Sequence, residues 1–186
     1  MEITKALQPS AQLEQFLTFL IAGEEYAVSI LKVKEIVEYD TVTKVPQTPN
    51  WVSGVFNLRG SVVPVIDLAA KFGLAPAQLS KTTCVVMVEV ALDGDPLMLG
   101  ILVDAVSQVV DLAPEDIGEV PSFGTAVHLD YLLGMVTMGR RFAMLLDIDT
   151  VLSASDLLEM KSTESSAVEQ QDPANKTASE FEPAIQ

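Results

Sequence analysis

Few side chains in this 186-residue sequence are of the types that carry out covalent or metal chemistry. His128 is the only histidine and Cys84 the only cysteine, so the usual zinc sites built from several such ligands lack their ligands. Cys84 opens a run of valines, where we interpret it as a small, buried hydrophobic residue. Glu24 and Glu25 lie in a polar turn, where solvated carboxylates are a simpler interpretation than a glycosidase-like pair. These residues predict a protein with no catalytic activity, cofactor or bound metal; a small hydrolase that uses Cys84 or His128 is the alternative.

The charge of the chain excludes several classes of partner. The formal net charge is −15 and the pI about 4.2, so phosphate backbones and anionic lipid surfaces would be repelled. A nucleic-acid-binding barrel is therefore a remote alternative. The single cysteine allows no internal disulfide, no secretory signal is visible, and no apolar run approaches the roughly 20 residues that span a bilayer. We expect a cytoplasmic protein without direct membrane insertion.

The pattern of apolar runs and turn residues predicts a mainly all-β fold. Apolar residues make up 49% of the chain but aromatic residues only 6%, so Val, Leu, Ile and Met must build the core. Four hairpins are indicated, over residues 16–20 and 26 onward, 54–58 and 61–66, 84–92 and 97–103, and 132–136 and 142–146. Further short strands are expected at 33–37 and 42–45. A short C-terminal helix is expected at 149–160, capped near Asp149 or Thr150.

Composition divides the chain into three parts. Residues 1–14 are mixed in character, and we expect them to be flexible. Residues 15–160 carry the strand pattern and should form the folded domain. From residue 161 onward Ser, Thr, Glu, Gln, Ala and Pro dominate, which predicts a disordered acidic tail over 161–186. The tail holds two lysines against five acidic residues, so −12 of the net charge belongs to residues 1–160.

A weak internal repeat indicates two similar sets of strands. Residues 54–68 can be laid over residues 134–148 without a gap, which matches Gly54 with Gly134. Two such sets predict two small β-barrels packed on one another, because closing a sheet removes its exposed edges.

The two copies of this repeat differ in charge. Glu35 and Arg59 occur in the first copy, and Ala105 and Gly139 occupy the matching positions of the second. The joint loss of both charges predicts that Glu35 and Arg59 pair with each other. Chance divergence is the alternative.

One part of the chain has an especially specific pattern. The turn Asn57-Leu58-Arg59-Gly60 is followed by an apolar run that ends in Asp67-Leu68. Further distinctive segments lie at 30–36, 45–46, 99–106 and 132–135. Together these segments closely resemble the CheW family of chemotaxis coupling proteins, and the resemblance covers about residues 15–160.

The resemblance implies a fold and a function. The fold would be two packed, intertwined, small SH3-like five-stranded β-barrels. The function would be that of a non-enzymatic adaptor in a two-component signalling complex. It would couple the cytoplasmic tip of a chemoreceptor, a methyl-accepting chemotaxis protein, to the regulatory domain of the histidine kinase CheA at membrane-bound receptor arrays. An adaptor for another kinase pathway, such as surface motility or gene regulation, is the alternative within the same class.

The resemblance also implies a binding surface near the junction of the two barrels. The receptor- or kinase-binding positions that it implies are Ile30, Val33, Glu35, Gly54, Arg59, Val106 and Val109. Among them, Glu35 and Arg59 match an acidic–basic pair that would hold or flank the surface. An apolar groove at this junction would accept a helical hairpin of the partner. Burial in the core is the alternative role for each valine, and backbone geometry is the alternative for Gly54.

Overall fold

Eleven β-strands carry most of the regular structure in the part of the chain that the computed structural model describes, residues 12–92, 94–121, 129–153, 155–156 and 159–160. The strands are β1 (Glu14–Ile21), β2 (Glu24–Ser29), β3 (Val33–Glu38), β4 (Val52–Leu58), β5 (Ser61–Asp67), β6 (Cys84–Leu92), β7 (Asp95–Val103), β8 (Ala105–Leu112), β9 (Ile117–Gly118), β10 (Leu132–Met138) and β11 (Arg141–Leu146). Between them lie a helical turn, α1 (Leu68–Lys71), and 3-10 turns at Ile30–Lys32, Tyr39–Thr41, Pro114–Asp116 and Leu129–Tyr131. The flexible N-terminus over 1–14 and the acidic tail over 161–186 stay predictions, since most of these residues lie outside the described part.

The strands form two curled sheets, which we call barrel A and barrel B. Barrel A has the strand order β8-β1-β2-β11-β10-β9, and barrel B the order β3-β6-β7-β5-β4. In barrel B, the segment after β3 pairs with β4 through an antiparallel bridge between Thr43 and Val55. In barrel A, the two-residue strand β9 pairs with β10. The predicted fold of two packed SH3-like barrels is confirmed. Barrel A gains a sixth strand through β9.

Each barrel takes strands from both halves of the chain. The N-terminal hairpin β1–β2 joins the late strands β8 to β11 in barrel A, while β3 to β5 join the middle hairpin β6–β7 in barrel B. Within each barrel the two contributions meet in a parallel pair, β2 with β11 and β5 with β7. Because the chain crosses between barrels at the turn before β3, the segment around residues 30–33 lies at the junction of the two.

Three hydrophobic clusters pack the described part of the chain. One cluster lies inside barrel A and includes Phe16 and Leu145, and another lies inside barrel B and includes Val65 and Met87. The third and largest, here called the inter-barrel core, draws residues from both barrels. Its buried members are Leu17, Phe19, Ile21, Tyr26, Val28, Trp51, Ile66, Leu68, Ala69, Phe72, Val86, Val88, Val90, Leu99, Ile101, Val103, Leu146, Ile148, Val151 and Leu152.

The position of β6 explains its continuous run of valines. Successive side chains of a strand point to opposite faces. In β6, Val85 and Met87 point into barrel B, whereas Val86, Val88 and Val90 point into the inter-barrel core. A strand buried on both faces needs an unbroken apolar sequence rather than an alternating one.

The four predicted hairpins are all present, as β1–β2, β4–β5, β6–β7 and β10–β11. In the β4–β5 turn both central residues have positive φ, +52° at Arg59 and +94° at Gly60. That combination is typical of a type I′ turn, whose twist matches that of the flanking strands. The expected strand over 42–45 is wrong, because only Thr43 makes a bridge there.

The predicted C-terminal helix starts later than expected. Residues Asp147 to Thr150 form a turn, and helical backbone first appears at Ser155 among the described residues. The cap is Ser153: its Oγ accepts the Asp156 N–H at 3.2 Å, while the Asp156 carboxylate accepts the Ser153 N–H at 2.7 Å. This reciprocal capping box places the start of the helix beyond Asp149, whose side chain makes other contacts. Of the described residues, no helix has the length and apolar character needed to cross a bilayer.

Candidate functional site

Val106 and Val109 lie on β8, an outer strand of barrel A. Val106 is opposite Phe19 and Val109 is opposite Leu17 on β1. Directly opposed residues of an antiparallel pair share one face, so both valines lie on the face of the inter-barrel core. Val106 is half-buried against that core, whereas Val109 is 48% exposed. This face of β8 is therefore packed against the core at Val106 and open to solvent at Val109.

Ile30 and Val33 lie where the chain passes from barrel A to barrel B. Both are half-buried and pack against the inter-barrel core. Val33 is opposite Val88 of β6, and Ile36, three residues later, is opposite Val86. Ile30, Val33, Ile36, Val106 and Val109 all lie on faces that border the inter-barrel core, and we call this set of residues the junction face.

Ile36 is the member of the junction face that sequence reasoning missed. Simple alternation would place it on the face opposite to Val33. A bulge between Val33 and Glu35 shifts the register by one residue, so Ile36 shares the face of Val33 and is 46% exposed. The sequence signal that could have indicated it is a large apolar residue between the charged residues Glu35 and Glu38.

Cys84, the first residue of β6, lies between β3 and β8. It is opposite Glu38 of β3, and the backbone of Val106 on β8 lies near enough to lower the pKa of its thiol. Burial raises the pKa of the Cys84 thiol, and the contact with Val106 offsets this only in part. A half-buried thiol with a raised pKa is a poor nucleophile at neutral pH.

Glu35 and Arg59 are not joined to each other. Both side chains are exposed, and the ion pairs within 4.0 Å among the described residues are Lys32–Asp149, Lys34–Glu89 and Lys71–Asp156. Glu35 lies in the middle of β3, while Arg59 lies in the β4–β5 turn beyond the last ladder pair. The predicted Glu35–Arg59 pair is therefore wrong for this chain by itself, and both charges face solvent.

Gly54 has a demanding backbone position in β4. Its φ is +152°, and a Cβ added there would lie 2.3 Å from the carbonyl oxygen of Thr43. Thr43 is held close because it exchanges two 2.8 Å backbone hydrogen bonds with Val55. The close approach that joins β4 to the segment after β3 thus requires glycine at this position. Backbone geometry accounts for Gly54 without any contact to a partner.

The groups considered for chemistry form no metal site in the described part of the chain. Among the described residues no three His, Cys, Asp or Glu side chains are arranged to hold a metal ion. His128 lies outside the described residues. Glu24 and Glu25 begin β2 and line an open cavity of about 360 Å³ together with Arg141 and Phe142.

Comparison with known proteins gives one consistent family. A family model described as a CheW-like domain matches residues 15–156. The chain is 39% identical over 144 residues to the chemotaxis protein CheW of Klebsiella aerogenes, a match that covers 77% of this chain and 84% of that protein. It is 32% identical over 146 residues to the chemotaxis protein CheW of Treponema pallidum, covering 78% and 86%. Among solved structures, the scaffolding protein TtCheW from Thermoanaerobacter tengcongensis matches with a TM-score of 0.69 and 26% identity, over 83% of this chain and 96% of that one.

Proposed function

This chain belongs to the CheW-like family and is a non-enzymatic coupling adaptor of chemotaxis signalling, and we propose that it joins the cytoplasmic tip of a chemoreceptor to the regulatory domain of the histidine kinase CheA. An adaptor of this kind has no turnover. Its output is the geometry of the complex, which lets the state of the receptor reach the kinase. Binding to the receptor tip would bring the protein to the cytoplasmic side of membrane-bound receptor arrays.

The observation that carries this proposal is the junction face. Ile30, Val33 and Val106 are half-buried against the inter-barrel core, while Ile36 and Val109 remain 46% and 48% exposed. An apolar strip between two packed barrels suits the apolar side of a partner helix, the recognition mode in which a helix lies in a groove. We propose that this strip receives the receptor tip.

Glu35 and Arg59 support a second part of the proposal. Both are exposed and form no ion pair with each other, so their charges are available to a partner. Rim charges of this kind add specificity and association rate more than affinity. We propose that Glu35 and Arg59 flank the strip and orient the receptor or the kinase domain. Gly54 belongs to this surface indirectly, since it shapes the backbone of β4.

The receptor contact can be tested with Val109→Asp, measured by co-sedimentation with a receptor tip fragment. Val109 is a cleaner choice than Val33, because Val33 packs against the core and an aspartate there would also destabilise the fold. A charge placed within an apolar contact should weaken binding by about tenfold or more. Phe142→Asp is the matched control, because Phe142 is 58% exposed in the same barrel but lies on β11, with β1 and β2 between it and β8.

The rim contact can be tested with Arg59→Ala against Arg140→Ala. Both arginines are exposed and occupy the turns of equivalent hairpins in barrels B and A. Arg59→Ala should weaken co-sedimentation with the receptor tip or with the kinase regulatory domain, and Arg140→Ala should leave both unchanged. Binding that is lost equally in both variants would reflect net charge only. Unchanged binding in Val109→Asp and Arg59→Ala would refute the proposed surface.

A further inference from the structure

Asp149 ties together three separate parts of the chain. Its two carboxylate oxygens accept hydrogen bonds from the Lys32 Nζ, at 2.7 Å for Oδ2 and 3.0 Å for Oδ1. Its Oδ1 also accepts the backbone N–H of Ala91 at 2.8 Å. Asp149 follows β11 in barrel A, Ala91 belongs to β6 in barrel B, and Lys32 lies in the turn that connects β2 to β3. One carboxylate thus holds both barrels and the crossing between them.

Asp149 gives the Ala91 N–H an acceptor that β3 does not provide. β3 pairs with β6 only as far as Val88, so Ala91, three residues further along, has no partner on β3. The carboxylate of Asp149 completes the edge of barrel B at that point with a charge-assisted hydrogen bond. Asp149 in turn is fixed by its neighbours, because Ile148 and Val151 are buried in the inter-barrel core.

The location of this contact relates it to the junction face. Lys32 lies between Ile30 and Val33 in the chain, and both of these are members of the junction face at the crossing from barrel A to barrel B. The inter-barrel core is apolar and non-directional, and such packing by itself specifies orientation less sharply than a hydrogen-bonded carboxylate does. The Lys71–Asp156 ion pair also joins the segments that follow β5 and β11, but it does not involve the crossing at Lys32.

We propose that Asp149 is a positioning residue for partner binding, which acts through Lys32 to hold Ile30 and Val33, where the chain crosses to barrel B, in a fixed relation to Val106 and Val109 of barrel A. The inference rests on the proposed function, because it concerns the same surface. Asp149 itself lies outside the junction face. It stabilises the shape of the surface rather than contacting the partner.

The electrostatics of the carboxyl agree with this role. Burial raises the pKa of Asp149, but the hydrogen bonds from Lys32 and Ala91 and the charge of Lys32 outweigh it, so the pKa is lowered overall. The carboxylate form is therefore the one that the folded protein stabilises.

The test is a set of variants measured for affinity to a receptor tip fragment. Asp149→Asn removes the charge but keeps an oxygen acceptor for the Ala91 N–H, whereas Asp149→Ala removes both. We expect about three- to tenfold weaker binding for Asp149→Asn and a larger loss for Asp149→Ala. Lys32→Met should match Asp149→Asn, the double variant should be no weaker than either single one, and Lys32→Arg should retain affinity.

Glu89→Gln is the matched control for this series. Glu89 pairs with Lys34 at 3.3 Å, so its neutralisation changes the net charge equally and also breaks a lysine ion pair. That pair lies wholly within barrel B, on β3 and β6, and we expect affinity to be unchanged.

A distance measurement separates the positioning role from a loss of stability. Spin labels at Thr137→Cys in barrel A and Val62→Cys in barrel B, in a Cys84→Ala background, report the relation of the two barrels; both sites are exposed. Asp149→Asn should broaden the distribution of distances at temperatures well below its unfolding midpoint, and Glu89→Gln should not. Wild-type affinity and distances retained in Asp149→Asn would overturn the inference. If the wild type itself fails to bind the tip, the proposed function falls, and the positioning role is then decided by the distances alone.

Discussion

The last hairpin of barrel B and the last hairpin of barrel A correspond residue for residue. β4 and β5 begin at Val52 and Ser61, and β10 and β11 begin 80 positions later, at Leu132 and Arg141. Each pair has its bulge at the same place, before Gly54 in one barrel and before Gly134 in the other. The end of each hairpin also makes the same hydrogen bond: the backbone N–H groups of Asp67 and Asp147 donate to the carbonyls of Trp51 and Tyr131, both at 2.8 Å.

The correspondence extends to strand order. In each barrel an outer strand, β3 or β8, is followed by two strands of a hairpin taken from the other half of the chain and then by the equivalent hairpins compared above. The weak sequence repeat therefore marks two copies of one unit that have exchanged their first hairpins. Exchange buries a large shared core, which two separate small barrels would lack.

The barrels differ in what they expose on this common frame. Barrel B carries Glu35 and Arg59, exposed and unjoined to each other, whereas barrel A has Ala105 and Gly139 at the matching positions. We propose that the shared backbone serves stability and that the difference in surface charge serves binding. Three predictions test this division, and each sets a position of one barrel against the matching position of the other.

The largest effect is expected for Gly54→Ala compared with Gly134→Ala. At Gly54 the new Cβ would meet the Thr43 carbonyl oxygen at 2.3 Å with φ at +152°, so the Thr43–Val55 bridge must break. At Gly134 the closest atom is Cγ2 of the Ile117 side chain at 2.5 Å, with a backbone oxygen at 2.9 Å. We expect losses in the free energy of unfolding of about 3 kcal/mol or more for Gly54→Ala and about 1–2 kcal/mol for Gly134→Ala.

Urea unfolding of both glycine variants measures this difference. Equal losses would contradict the view that the close approach at Thr43 is what makes Gly54 necessary. A stable Gly54→Ala protein that fails to bind a receptor tip would instead assign Gly54 to the contact itself.

A smaller effect is expected at Lys71, where barrel B has a cation and barrel A has Val151 at the matching position. Lys71 is only 8% exposed; its Nζ lies 2.9 Å from the Asp156 carboxylate and 4.5 Å from the centre of the Trp51 ring. Asp156→Asn leaves this ammonium with the ring and solvent alone. We expect a loss of about 2 kcal/mol in the free energy of unfolding at pH 7, because a mostly buried charge loses its partner.

The pH dependence of Asp156→Asn gives an independent check. Burial raises the pKa of Asp156, but hydrogen bonds from Ser153 and Lys71 outweigh it and lower the pKa below the ordinary 3.8. A lowered carboxyl pKa stabilises the folded protein above that ordinary value, and the stabilisation is lost as pH falls through the folded-state pKa. The difference between wild type and Asp156→Asn should therefore shrink on acidification below about pH 4. A difference that stays constant with pH would show that the ion pair is not its source.

The strands and the two barrels could be predicted from the sequence because the signals that specify them are local. Turn residues such as Gly60, together with paired apolar runs, predict hairpins directly. The internal sequence repeat predicts the second barrel. The face on which Ile36 lies and the start of the C-terminal helix could not be predicted from the sequence. A bulge at Lys34 resets the alternation of β3, and tertiary contacts of Asp149 with Lys32 and Ala91 compete with helix capping.

The smallest effect is expected for Arg59→Asn, which separates fold from binding at one residue. Arg59 has φ of +52°, a region that a branched or long side chain adopts at a cost and that asparagine tolerates better. We expect the free energy of unfolding to rise by about 0.5 kcal/mol, as for other relief of left-handed strain in turns. Affinity for the receptor tip or the kinase regulatory domain should fall, since the exposed charge is gone. Barrel A has glycine first in its turn, with φ of +64° at Gly139, and so does not bear this cost. If Arg59→Asn were no more stable and bound as well as the wild type, the charge difference between the barrels would have no functional meaning.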